Sequence, residues 1–98
     1  VDVKYFHRTS VSPDEVMARA TEYFGARLTP VHEGPRRRSW SGGPGTVTVT
    51  VEAEGGHYTL VTLITDQPAE SEMDKFGKRF LGEVHRLAEP SHRLRGAY

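Results

Sequence analysis

The chain has 98 residues, enough for one domain around one core, and its thirteen basic and thirteen acidic side chains cancel. That balance excludes a surface that attracts nucleic acid or acidic membrane over its whole extent. The absence of cysteine excludes disulfides, thiolate nucleophiles and cysteine-ligated zinc together.

Residues 1–8 read as a strand, with Val1, Val3 and Tyr5 alternating against Asp2, Lys4 and Phe6. Aromatic rings at both Tyr5 and Phe6 predict partial cover on both of its faces. Ser12-Pro13-Asp14-Glu15 then combines an N-cap hydroxyl, a proline at the first helical position and a glutamate three residues after the cap. A helix is predicted over 13–24. Val16, Met17, Ala20, Tyr23 and Phe24 lie along one arc, and Gly25 follows as the expected C-terminal cap.

Segments 28–33 and 37–41 are weaker strands separated by Gly34-Pro35, and 41–45 is a glycine-rich turn. Pro30 has no N–H to donate, so its strand is expected at an edge or at a bulge. The alternation of 46–53 is unbroken, and Gly55-Gly56 predicts a two-residue hairpin turn with 57–65 returning. That register places Ala53 opposite Tyr58, Val51 opposite Leu60, Val49 opposite Thr62 and Val47 opposite Ile64 on the core face. Val61 and Leu63 then fall on the other, mostly polar face beside Thr48 and Thr50.

A second helix is predicted over 69–88. Met73, Phe76, Phe80, Leu81, Val84, Leu87 and Ala88 form its apolar arc, and Asp74 and Lys78 an ion pair on its flank. Twenty residues at a rise of ~1.5 Å make about 30 Å, nearly the length of a nine-residue strand, so this helix can lie along the hairpin. Pro90 ends it, giving a domain over 1–90 and a tail over 91–98. The predicted fold is α+β: an antiparallel sheet of five strands in the order β-α-β-β-β-β-α, with two helices on one face.

Thr9-Ser10-Val11-Ser12-Pro13-Asp14-Glu15-Val16 resembles the strand-to-helix entry of helix-grip proteins, the Bet v 1, START and polyketide-cyclase superfamily. The hairpin 47–64 followed by a Phe- and Leu-rich helix is similar to the closing half of that fold, and the element order also resembles TATA-binding-protein-like domains. The resemblance implies a hydrophobic ligand held between sheet and long helix; some members are cyclases, others carriers or co-chaperone modules. The full helix-grip fold has more strands, and none of its catalytic residues maps onto a position here.

Three functional readings follow, none of them requiring a cofactor. The favoured one is a non-catalytic interaction module, soluble and cytoplasmic, that forms a homodimer through Thr48, Thr50, Val61 and Leu63. The same module takes a small apolar ligand at Tyr58, Phe76, Gly77 and Phe80, where Gly77 either admits the ligand or allows close helix–sheet approach over Tyr58. The second reading is a cyclase or isomerase, for which Thr62 and Tyr58 are the polar groups expected to point into the cleft. The third is nucleic-acid binding by Arg36, Arg38 and Trp40, which share one side of a strand and present guanidinium groups beside a stacking ring. The five histidines have no metal-ligand spacing, no Gly-x-Ser-x-Gly elbow occurs, and no apolar run reaches the ~20 residues of a membrane span.

Overall fold

The computed structural model of the chain describes residues 2–88. Its elements are β1 (Val3–Thr9), α1 (Pro13–Gly25), β2 (Thr29–Glu33), β3 (Arg37–Gly42), β4 (Gly45–Glu54), β5 (Tyr58–Thr65) and α2 (Glu72–Ala88). The strands make one antiparallel sheet in the order β1-β5-β4-β3-β2. The α+β class and the element order are as the sequence predicts. Val1, expected in the first strand, and the expected tail at 91–98 with Pro90 before it lie outside the described residues.

Local chemistry sets α1. Ser12 takes extended φ/ψ and its hydroxyl accepts from the Glu15 N–H at 3.2 Å, with Pro13 opening the helix. Gly25 stays helical instead of capping; the N–H groups of Arg27 and Leu28 both close onto the Phe24 carbonyl. Pro30 sits on the edge strand β2 beside a shift in register, so both expectations for it hold.

The hairpin departs from the expected turn. Glu54 pairs with Tyr58, so Gly55, Gly56 and His57 form a three-residue connection, with Gly55 and Gly56 at φ of 64° and 78°. The extra loop residue moves β5 by one position and exchanges its two faces. Val51 therefore opposes Val61, Val49 opposes Leu63 and Val47 opposes Thr65. Packing on the helices selects this register. Leu63 nests against Gly77 of α2, where a Cβ would stand 2.8 Å from the leucine Cδ2. The inward Thr59 donates to the Val11 carbonyl at 2.6 Å, and Thr65 donates to the Gln67 carbonyl at 3.1 Å.

Helix α2 starts at Glu72, three residues later than expected, because Glu70 has φ of 69° and Ser71 caps it by accepting the Asp74 N–H. Both helices cover the same face of the sheet. Between them and the strands, Phe24, Trp40, Leu63, Met73 and Phe80 are each 1% exposed or less. Phe24 stacks on Trp40 with centroids 5.2 Å apart, and Tyr23 ties the helices by donating to the Phe76 carbonyl at 2.8 Å. No helix among the described residues is long and apolar enough to cross a membrane.

Candidate interaction face

The helices leave the other face of the sheet uncovered, and cross-strand register fixes what it presents. Lys4, Ile64, Thr48 and Ser39 form one row, and Phe6, Thr62, Thr50 and Arg37 the next. Arg8, Leu60 and Glu52 make a third, and Tyr58 with Glu54 closes the far end. The apolar members run down β5 as Tyr58, Leu60 and Ile64, with Phe6 alongside on β1. Phe6 is 67% exposed and Tyr58 53%, while Leu60 and Ile64 are half-buried. The expected cover over Phe6 is therefore absent among the described residues.

Around this stripe the face is hydroxylic and charged. Ser39 bonds Thr48 at 2.9 Å and Ser41 bonds Thr46 at 3.0 Å, and Thr48 itself is buried. Arg8 reaches diagonally past Leu60 to Glu54 at 2.8 Å. Glu52, in the row of Arg8, is exposed and has no ion-pair partner among the described residues. At one end, a depression of about 430 Å³ is lined by residues that include Lys4, Arg37, Thr48, Ile64 and Asp66. Asp66 is held below the ordinary carboxylate range by the Thr46 N–H, which donates to it at 2.8 Å.

The residues expected at an interface divide between the two faces. Thr48 and Thr50 lie on the uncovered face as predicted. Val61 and Leu63 do not: both are wholly buried against the helices, because β5 is turned over. The residues that take their place, Leu60 and Ile64, were assigned to the core by the expected two-residue turn. Phe6, the most exposed large apolar side chain on the face, stood in the sequence as half of an aromatic pair expected to be covered.

The expected ligand site is also dispersed. Tyr58 is on the uncovered face, so it cannot line a cleft beneath α2. Gly77 and Phe80 are buried in the core, and Leu63, not Tyr58, is the side chain that Gly77 admits. Phe76 lines an apolar pocket of about 250 Å³ with Arg27, Leu28, Pro44 and Glu72. The Arg27 guanidinium lies over its ring at 5.1 Å. Thr62 and Tyr58, the polar groups expected to face a cyclase-like cleft, both point away from the helices. The buried inward polar groups are Thr9, Thr59, Thr65 and Asp74, and no buried side-chain nitrogen or oxygen among the described residues lacks a partner.

Arg36, Arg38 and Trp40 share a side, as alternation requires, but that side faces α1. Trp40 is 1% exposed and is unavailable for stacking on a base. Arg38 donates to the Gly34 carbonyl and to the Thr21 hydroxyl, and Arg36 pairs with Asp14 at 3.1 Å. Within the arginine run, the guanidinium on the uncovered face is that of Arg37.

Two polar clusters at the β1 edge have no counterpart in sequence spacing beyond the expected Asp74–Lys78 pair. Tyr5 donates to Asp74 Oδ1 at 2.5 Å, the Glu70 N–H donates to Oδ2 at 2.9 Å, and Lys78 lies 3.1 Å from the same oxygen. Burial acts to raise the Asp74 carboxyl, but the bonds from Tyr5, Glu70 and Lys78 outweigh it and hold the group below its ordinary value. Donation to Asp74 raises the Tyr5 hydroxyl, and bonding to Asp74 raises Lys78. His7 and His85 lie edge to face at 6.1 Å, and burial, then the charge on His85, pushes His7 down. No three His, Cys, Asp or Glu side chains gather as a metal set among the described residues.

No family model matches the chain, and no curated protein matches it.

Proposed function

We propose that this protein is an interaction module that binds a second copy of itself through the uncovered face of the sheet. The observation that carries this reading is the apolar stripe of Phe6, Tyr58, Leu60 and Ile64 on a face that no helix of the described residues covers. Lone exposed apolar side chains are ordinary on protein surfaces, whereas a contiguous patch rimmed by polar groups marks an interaction site. The face has the size for it. Five strands about 4.8 Å apart and five to ten residues long, at ~3.3 Å per residue, span about 570 Å² in projection. A standard interface buries about 800 Å² of accessible surface per partner.

The edges of the sheet are poorer docking sites. Antiparallel pairing of two β1 strands about Phe6 brings Lys4 opposite Arg8 of the other copy, and like charges directly opposite are unfavourable. Strand β2 carries Pro30 and a register shift, which deny a partner strand regular hydrogen bonds. The pocket beside Phe76 is the place this reading leaves for a small apolar ligand.

Light scattering over a concentration series tests the proposal, with wild type compared to Phe6→Lys/Ile64→Lys. Wild type is expected at twice the 11.0 kDa chain mass and the double variant at the chain mass, with unchanged far-UV circular dichroism. Thr50→Lys, placed where no core side chain is touched, serves as a second splitting variant. A wild type that stays at the chain mass, or a dimer that withstands all three substitutions, overturns the reading.

A further inference from the structure

Resting on the self-association just proposed, we infer that the two copies meet about a two-fold axis running along β5, with Arg8 of each copy on Glu52 of the other. A face-to-face pair of identical sheets has its symmetry axis in the plane between them, and the orientation of that axis decides which columns superimpose.

The columns of this face are distinct in chemistry. Strand β1 contributes the cations Lys4 and Arg8, β5 contributes the apolar stripe, and β4 contributes threonines ending in Glu52 and Glu54. An axis perpendicular to the strands lays β1 on β1, bringing two cationic columns together while both copies keep their acidic ends unmatched. An axis along β5 lays β5 on itself and β1 on β4, so that three of the five strands overlap and β3 and β2 extend past the partner's β1. Leu60 then meets Leu60, Ile64 meets Ile64, Phe6 covers Thr50, and Arg8 arrives at Glu52 in its own row. Apolar groups face apolar groups, Lys4 meets the neutral Thr48, and Arg8 faces an anion, so one orientation satisfies both requirements. The exposed Glu52 carboxylate thereby gains a cation that no described residue of its own chain supplies. Arg8, now held at the surface by Glu54, is placed beside the acidic end of the partner's β4.

Charge exchange between copies tests this orientation separately from self-association itself. Arg8→Glu sets two carboxylates against each other at both symmetry-related contacts of the dimer, and Glu52→Arg sets two guanidinium groups against each other there. Each variant alone is expected to weaken dimerisation roughly tenfold or more, as close interfacial charge pairs do. In an equimolar mixture, the reversed residue of one chain meets the reversed residue of the other, and both unreversed residues meet as well. A mixed dimer of near wild-type affinity is therefore expected, read by native mass spectrometry or by energy transfer between labelled chains. The in-chain Arg8–Glu54 pair is unaltered by mixing, so recovery reports contact between copies alone. A dimeric wild type whose single variants stay dimeric, or whose mixture stays dissociated, overturns the orientation and leaves the uncovered-face dimer standing. A monomeric wild type overturns both.

Discussion

Replacing Gly77 by alanine sets two measurable effects against each other. Alanine in a helix interior is favoured over glycine by about 1 kcal/mol, because glycine loses more backbone freedom on folding. At Gly77, however, the new Cβ would stand 2.8 Å from Leu63 Cδ2 and 3.5 Å from its Cγ, where ordinary carbon contacts are about 3.5–4.0 Å. Leu63 is wholly buried among packed neighbours, so its side chain must shift to admit the methyl group. Overpacking of this kind costs about 1–3 kcal/mol, so the net change is expected between about zero and 2 kcal/mol destabilising. Gly82, further along α2, provides the control. A Cβ there meets only Arg86 Nη1 at 3.8 Å, so Gly82→Ala should gain close to the full ~1 kcal/mol. In a domain of this size each kcal/mol moves Tm by about 4–8 °C, which thermal unfolding followed by circular dichroism resolves readily. Gly82→Ala is expected to raise Tm and Gly77→Ala to lower it or leave it unchanged. Equal rises for both would refute the close approach of α2 to β5, and with it the register that puts Leu63 inward.

Two further outcomes follow from the packing and from the shifted groups. Trp40, the sole tryptophan, lies against Phe24 in the core; its native emission should be blue-shifted, resist iodide quenching and ignore added single-stranded oligonucleotide, and an emission like that of the unfolded chain would contradict its burial. His7 is depressed in the folded state, so the unfolded chain binds its proton first and stability is lost as pH falls from about 6.5 through the folded value. Asp74 is also depressed, so its contribution is complete above about pH 3.9 and is lost only as pH falls through its still lower folded value. Urea midpoints measured against pH should therefore show a first decline that His7→Gln removes and a later, acidic one that it leaves; a first decline unchanged in His7→Gln would exclude this source.

The parts of the fold legible in the sequence are those that neighbouring residues decide together. Ser12, Pro13 and Glu15 start a helix whatever it packs on, since cap, fixed φ and N–H partner lie within four residues. The alternation from Thr46 to Ala53 requires a strand with one apolar face, and Pro30 requires an edge. Strand β5 gave no such instruction, because Leu60 and Ile64 on one face are as apolar as Val61 and Leu63 on the other. A connection of two residues or three exchanges those faces, and its choice belongs to partners far along the chain. Gly77 admits Leu63, and the Val11 carbonyl takes the Thr59 hydroxyl. The same holds for Asp74, a flank ion pair by its spacing, which Tyr5 seals from solvent across 69 positions of sequence. Trp40 likewise shares a side with Arg36 and Arg38 by alternation alone, while the arrival of α1 on that side makes it core. Local pattern thus determined which segments are helix and strand. Long-range packing decided which face each strand turns inward, and so which residues were left to meet a partner.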